Sequence, residues 1–199
     1  MDMHYLFKKA CIEGQLDIVK YIVSKGFYPK EDWGFQYACE RGHLEIVKFL
    51  NSIVIDIKKE YGLDYIFRIT SQCGQLEVVK FLASQGVDID NKCAYEHACE
   101  EGHLEVVKFL ISKGVDATDW DAFVCACKGG NMEVIKYLLS QGADVNNDDA
   151  FEGACGEGQL EVVKYLISKG VGVDNDTALT RARRNEHQHI INYLKQCRS

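Results

Sequence analysis

The chain has 199 residues, 47% of them hydrophobic and 27% charged, which is ordinary for a soluble globular protein and enough to build a buried core. Its formal charge of −7 argues against a nucleic-acid partner, which would call for a basic stripe, and nine cysteines without a secretory signal argue for free thiols in a reducing compartment. No run approaches eighteen apolar residues and the opening "MDMHYLFKK" is not a signal peptide, so the expectation is a cytoplasmic protein with no membrane partner.

The first predicted element is a short helix in "YLFKKACIEG", Tyr5 to Gly14, and a longer one follows that glycine. With Gly14 as position 0, the same place recurs at Gly42, Gly74, Gly102, Gly130 and Gly158, and at Glu186 in a degenerate last copy. The steps are 28, 32, 28, 28, 28 and 28 residues. A fixed period of this size predicts a solenoid, whose units bury their apolar faces only by stacking.

Each copy predicts two helices. Before the glycine, a bulky apolar residue at −7 and small residues at −4 and −3, as in Phe123, Ala126 and Cys127, fit a short helix that lets a neighbour approach closely. After it, Leu104, Val106, Val107, Leu110 and Ile111 give the longer helix a broad apolar face, and Glu105 stands within reach of Lys108. Gly86, Gly114, Gly142 and Gly170 at +12 predict left-handed caps that end it.

The stretches "AYEHACEEGHLEVVKFLISKGVD" (Ala94 to Asp116) and "AFEGACGEGQLEVVKYLISKGVG" (Ala150 to Gly172) resemble ankyrin repeats. The resemblance implies an all-α solenoid of stacked helical hairpins with shortened connectors and little or no strand. It divides one domain, 1–199, into seven repeats: 1–28, 29–60, 61–88, 89–116, 117–144, 145–172 and 173–199, the first and last acting as caps. Two departures matter. The units are about five residues shorter than the family's 33, and "CAYE" (Cys93 to Glu96) and "DAFV" (Asp121 to Val124) stand where the family has "TPLH". Another group must therefore satisfy the start of each short helix. Short-connector units with "LEVVKYL" helices also resemble those encoded by giant DNA viruses of amoebae, which implies a host protein as the partner.

The long step contains "NSIVIDIKKEYGLDY", Asn51 to Tyr65, with no capping glycine at Val54 and four extra residues that either extend a helix or form a surface bulge. In the last copy, Gln188 replaces the usual leucine, and Arg181, Arg183 and Arg184 read as a solvated cap, with an anion site as the alternative.

Cys11, Cys39, Cys99, Cys127 and Cys155 share the −3 position, with Ser71 in the third copy, and a slot accepting cysteine or serine reads as small core. Cys93, His97, Asp121 and Cys125 are the sharpest metal alternative: two pairs one helical turn apart on successive short helices. The connector "DVNNDD", Asp144 to Asp149, lacks the glycine and closing glutamate of a calcium loop and reads as a turn. His43 and His103 alternate with Gln75 and Gln159, which suits a turn and not a general base. No cofactor and no catalytic residue is expected.

Function should sit where copies vary. At −9 these are Tyr5, Trp33, Tyr65, Cys93, Asp121, Asp149 and Thr177; at −5 they are Lys9, Tyr37, Ile69, His97, Cys125, Gly153 and Arg181. By the resemblance, this face lines the concave groove that binds partners. One zone, Tyr5, Trp33, Tyr37, Tyr65 and Ile69 with Lys9, Arg41 and Arg68, reads either as an interface patch or as rings filling space left by the short connectors. A second zone is acidic: the connectors from Gly86 to Thr177 hold ten aspartates and one basic residue, Lys92, a ridge suited to a basic partner segment unless the acids only form turns. His97, Asp119, Trp120 and Asp121 complete the expected partner-binding set. The expectation is a non-enzymatic scaffold for a protein partner; the alternatives are an adaptor for ubiquitin ligation, disfavoured because no motif follows the last cap, and the Cys/His/Asp metal site.

Overall fold

A computed structural model describes residues 2–27, 33–53 and 62–198. The described residues form fourteen helices and no strand, so the fold is all-α. In chain order the helices are α1 Met3–Glu13, α2 Leu16–Ser24, α3 Gly34–Glu40, α4 Leu44–Ile53, α5 Leu63–Gln72, α6 Leu76–Ser84 and α7 Lys92–Glu100. They continue as α8 Leu104–Ser112, α9 Trp120–Gly129, α10 Met132–Ser140, α11 Asp148–Gly156, α12 Leu160–Ser168, α13 Asp176–Arg184 and α14 Gln188–Cys197. Residues 54–61, the extra part of the long connector, lie outside the described residues.

The backbone falls into two compact units, Met1–Ala94 and Tyr95–Ser199. In the first, the short helices α1, α3 and α5 lie side by side, and the long helices α2, α4 and α6 form the row behind them. In the second, α9, α11 and α13 form the short row, while α8 pairs with α10 and α12 with α14.

The sequence period explains both rows. Phe7, Ala10 and Cys11, and likewise Phe123, Ala126 and Cys127, are fully buried at −7, −4 and −3. All five −3 cysteines are buried thiols, and Ser71 occupies the same slot. The long helices bury +4, +5 and +8, as with Val162, Val163 and Leu166, and leave Glu–Lys pairs such as Glu161 to Lys164, 2.8 Å, on the exposed side. Such exposed pairs add little stability.

The missing "TPLH" cap has a replacement. Asp119 and Asn147 at −11 accept a hydrogen bond from the backbone N–H three residues on, Ala122 and Ala150, each at 3.0 Å. Asn175 caps α13 in the same way through Ala178, at 2.8 Å. An Asx residue here satisfies one orphan donor of the first turn. Farther back in the connectors, Asp88, Asp116 and Asp144 each accept from the N–H two residues ahead, which folds the turn.

The turn residue at +1 fastens one hairpin to the one before it. His43 Nε2 faces Ile12 O at 2.9 Å, and since a carbonyl only accepts, the ring proton sits on Nε2. Gln75 donates to Glu40 O at 3.0 Å, Asn131 to Cys99 O at 3.1 Å and Gln159 to Lys128 O at 2.9 Å. Each accepting carbonyl lies in the last turn of a short helix, where no intrahelical donor remains. Any side chain with an N–H of suitable reach serves, which is why histidine, glutamine and asparagine interchange.

Candidate functional site

On a short helix the −7, −4 and −3 residues face the core, so −9 and −5 must look elsewhere. In the first unit this leaves three large rings in solvent on three adjacent helices: Tyr5 is 63% exposed, Trp33 58% and Tyr65 43%. Exposed rings at one repeated register do not fill space inside the protein. Tyr37 and Ile69 at −5 are half-buried between them in the register.

Cations accompany the rings. Lys8 Nζ lies 4.8 Å from the centre of the Tyr37 ring, and the Arg68 guanidinium 5.1 Å from that of Tyr65. Lys9 is held loosely by Glu13 at 3.8 Å, and Arg41 is exposed. A cation over a ring face orients it at small cost and leaves the other face available. Every first-unit residue of the expected set, from Tyr5 to Ile69, thus lies at least partly accessible on the short-helix row.

The second unit carries His97, Asp119, Trp120 and Asp121. Trp120 is 47% exposed at the start of α9, and its Nε1 donates to Asp121 Oδ1 at 3.3 Å. Asp119 is the cap of that helix, so one of its oxygens is committed. Carboxylate oxygens of Glu96, Asp119 and Asp121 lie within 4.8 Å of one another, an all-oxygen group different from the Cys/His/Asp set considered from sequence. Of that set, Cys125 is a poor thiolate: burial pushes its pKa up to about 11, and the Glu100 and Glu96 carboxylates add to the effect. It is therefore a neutral thiol at physiological pH, weak both as ligand and as nucleophile.

The acidic connectors turn out to have local duties. Asp116 receives both the hydroxyl and the N–H of Thr118, at 2.7 and 2.8 Å, and these bonds hold its carboxyl below the usual range. Asp174 and Asp176 face Arg198 at 3.6 and 3.2 Å. The acids at −11, +14 and the final connector are explained by folding; what is left to face a partner is smaller than the composition suggests.

Sequence reasoning missed two features. The −11 caps were legible as an Asn/Asp repeat, yet they merged into the general acidity of the connectors. The second is a cleft in the second unit around Gly153 and Gly156, hidden because glycine contributes no pattern of its own.

Compared with known families, residues 67–149 match the family described as ankyrin repeats, 3 copies. No curated protein matches the chain. No helix among the described residues is long and apolar enough to cross a membrane.

Proposed function

We propose that this chain, which carries ankyrin repeats at 67–149 and keeps their register in the hairpins on either side, is a non-enzymatic scaffold that binds a protein partner through its short-helix face. Ankyrin repeats are generally protein-interaction modules, and the observation that carries the reading here is the exposed series Tyr5, Trp33 and Tyr65. Large rings flanked by cations are the composition of interface hot spots, where burial in a partner's pocket recovers the cost of leaving them in water. In the second unit, His97, Asp119, Trp120 and Asp121 stand at the start and along the short helices, beside the connector acids. The resemblance to repeats of giant amoebal viruses supports a host protein as the partner, in the host cytoplasm.

Affinity capture with the intact chain and with a Trp33→Ala/Tyr65→Ala variant tests this reading. The expected result is a partner recovered with the parent and depleted at least thirtyfold with the variant, as the loss of about 2 kcal/mol at one hot spot implies. Equal recovery of every captured protein would remove the aromatic face from the account.

A further inference from the structure

The row of −5 and −2 positions that projects bulky side chains elsewhere is hollow in the sixth hairpin. Gly153 and Gly156 stand three residues apart on one side of α11, both buried, and floor a cleft of about 310 Å³. Ligand pockets run from ~300 Å³ upward, so this one suits a single side chain and not a cofactor.

Packing does not demand Gly156: a Cβ there would meet Arg181 Cβ at 3.5 Å, an ordinary contact, whereas one at Gly153 would lie 2.8 Å from Cγ of Lys128, so that the lysine stem would have to shift. Neither has a left-handed backbone. Gly153 weakens the interior of a helix of nine residues, while Gly156 is its last residue. Gly153 makes room for the Lys128 stem, Gly156 gains no contact in return, and together they open the cleft.

Its walls are charged. Lys128 from α9 and Arg181 and Arg184 from α13 line it, together with Glu152 and Glu157. Arg181 Nη2 lies 3.0 Å from Glu152 Oε2, whose side chain is only 12% exposed, and Asn175 donates to the other oxygen of Glu152 at 3.3 Å. Glu152 is thus consumed in orienting the guanidinium. Lys128 and Arg184 form no ion pair among the described residues. Three cations face two carboxylates, leaving one positive charge in excess in a chain of net charge −7.

We propose that this cleft receives the carboxylate side chain of an acidic residue in the bound partner; the proposal rests on the scaffold reading above and assigns one anchor chemistry to it. A planar carboxylate matches an arginine edge already fixed by its own ion pair, with Lys128 and Arg184 closing on either side. A single excess positive charge balances a carboxylate, whereas a phosphate dianion would sit beside Glu157 and Glu152 with half its charge uncompensated.

Three blocked pentapeptides, identical except for a central glutamate, glutamine or phosphoserine, titrated into the intact chain while the amide signals of Gly153 and Gly156 are followed by NMR, test the proposal. The glutamate peptide should shift both signals saturably, the glutamine peptide should bind at least tenfold more weakly, and phosphoserine should bind no more tightly than glutamate. Lys128→Gln/Arg184→Gln should weaken the glutamate peptide at least tenfold. Gly156→Leu should do the same while leaving the thermal midpoint unchanged or raised, a separation that a purely structural glycine would not give. No saturable shift, equal binding of glutamine, tighter binding of phosphoserine, or undiminished binding to Gly156→Leu overturns it. The first of these with partner capture still lost in Trp33→Ala/Tyr65→Ala discards the cleft and keeps the scaffold; peptide binding with capture unchanged does the reverse for the aromatic face.

Discussion

At Gly158 one hydrogen atom lets two hairpins meet. The residue has φ +76°, and a Cβ there would lie 2.8 Å from the His187 ring of the next copy. Gly14 repeats the conflict with His43 at 2.7 Å. The left-handed backbone alone costs an alanine roughly 1–2 kcal/mol. Gly158→Ala should therefore lose about 2 kcal/mol or more in urea unfolding, and a loss below about 0.5 kcal/mol would show that the turn relaxes freely. The core cysteines give a second prediction. Burial pushes Cys127 and Cys155 up to about 12, the latter with help from Glu152, and raises Cys39 and Cys99 as well. Below about pH 8.5 these thiols are protonated in both folded and unfolded chains and stability does not depend on them. Above it the unfolded chain releases protons that the folded chain keeps, so stability falls from about pH 9 toward 12. Urea unfolding under reducing conditions should show that alkaline loss, and Cys127→Ala/Cys155→Ala should lessen its slope by up to about 1.4 kcal/mol per pH unit for each thiol. A parent chain equally stable at pH 8 and 10.5 contradicts the burial.

At the scale of elements, each short helix is only seven to eleven residues long, too short to persist alone. Different residues tie down the two ends: −11 Asx caps start α7, α9, α11 and α13, and the +1 side chain of the following hairpin holds the last turn of α1, α3, α7 and α9. Asn147→Ala removes the acceptor for Ala150 N–H. It should cost about 1 kcal/mol, measured by thermal or urea unfolding, while Asn147→Asp should restore most of it; indifference to both would mean that the first turn is satisfied in another way. These ties also show what was legible beforehand. The helices, the −3 core slot and the +12 caps follow from periodicity and from glycine, and the sequence pattern placed them directly. The identity of the cap did not follow, because an Asn or Asp eleven residues before the turn is one polar letter among many until its Oδ1 is seen 3.0 Å from a backbone nitrogen.

For the whole molecule, repetition divides the residues into those that build and those that vary. The building residues are buried or bonded across hairpins, while Tyr5, Trp33 and Tyr65 vary from copy to copy and stand in water. That division was readable from register alone. Their exposure was not, since a tyrosine or tryptophan at −9 is equally compatible with filling a shortened connector. The cleft at Gly153 and Gly156 was invisible for the opposite reason: its signal is missing side chains, and its walls come from residues between 128 and 185, brought together only by stacking α9, α11 and α13.

The proposed binding belongs to the short-helix face and not to exposed rings in general. Tyr21 supplies the control, for it is 59% exposed but lies on α2, in the row of long helices. The decisive measurement is the affinity of a captured partner for the parent, for Trp33→Ala and for Tyr21→Ala, each first shown to unfold at the parental midpoint. The account predicts about a thirtyfold loss for Trp33→Ala and less than a twofold change for Tyr21→Ala. A large loss at Tyr21 with none at Trp33 would place the interface on the long helices and contradict it.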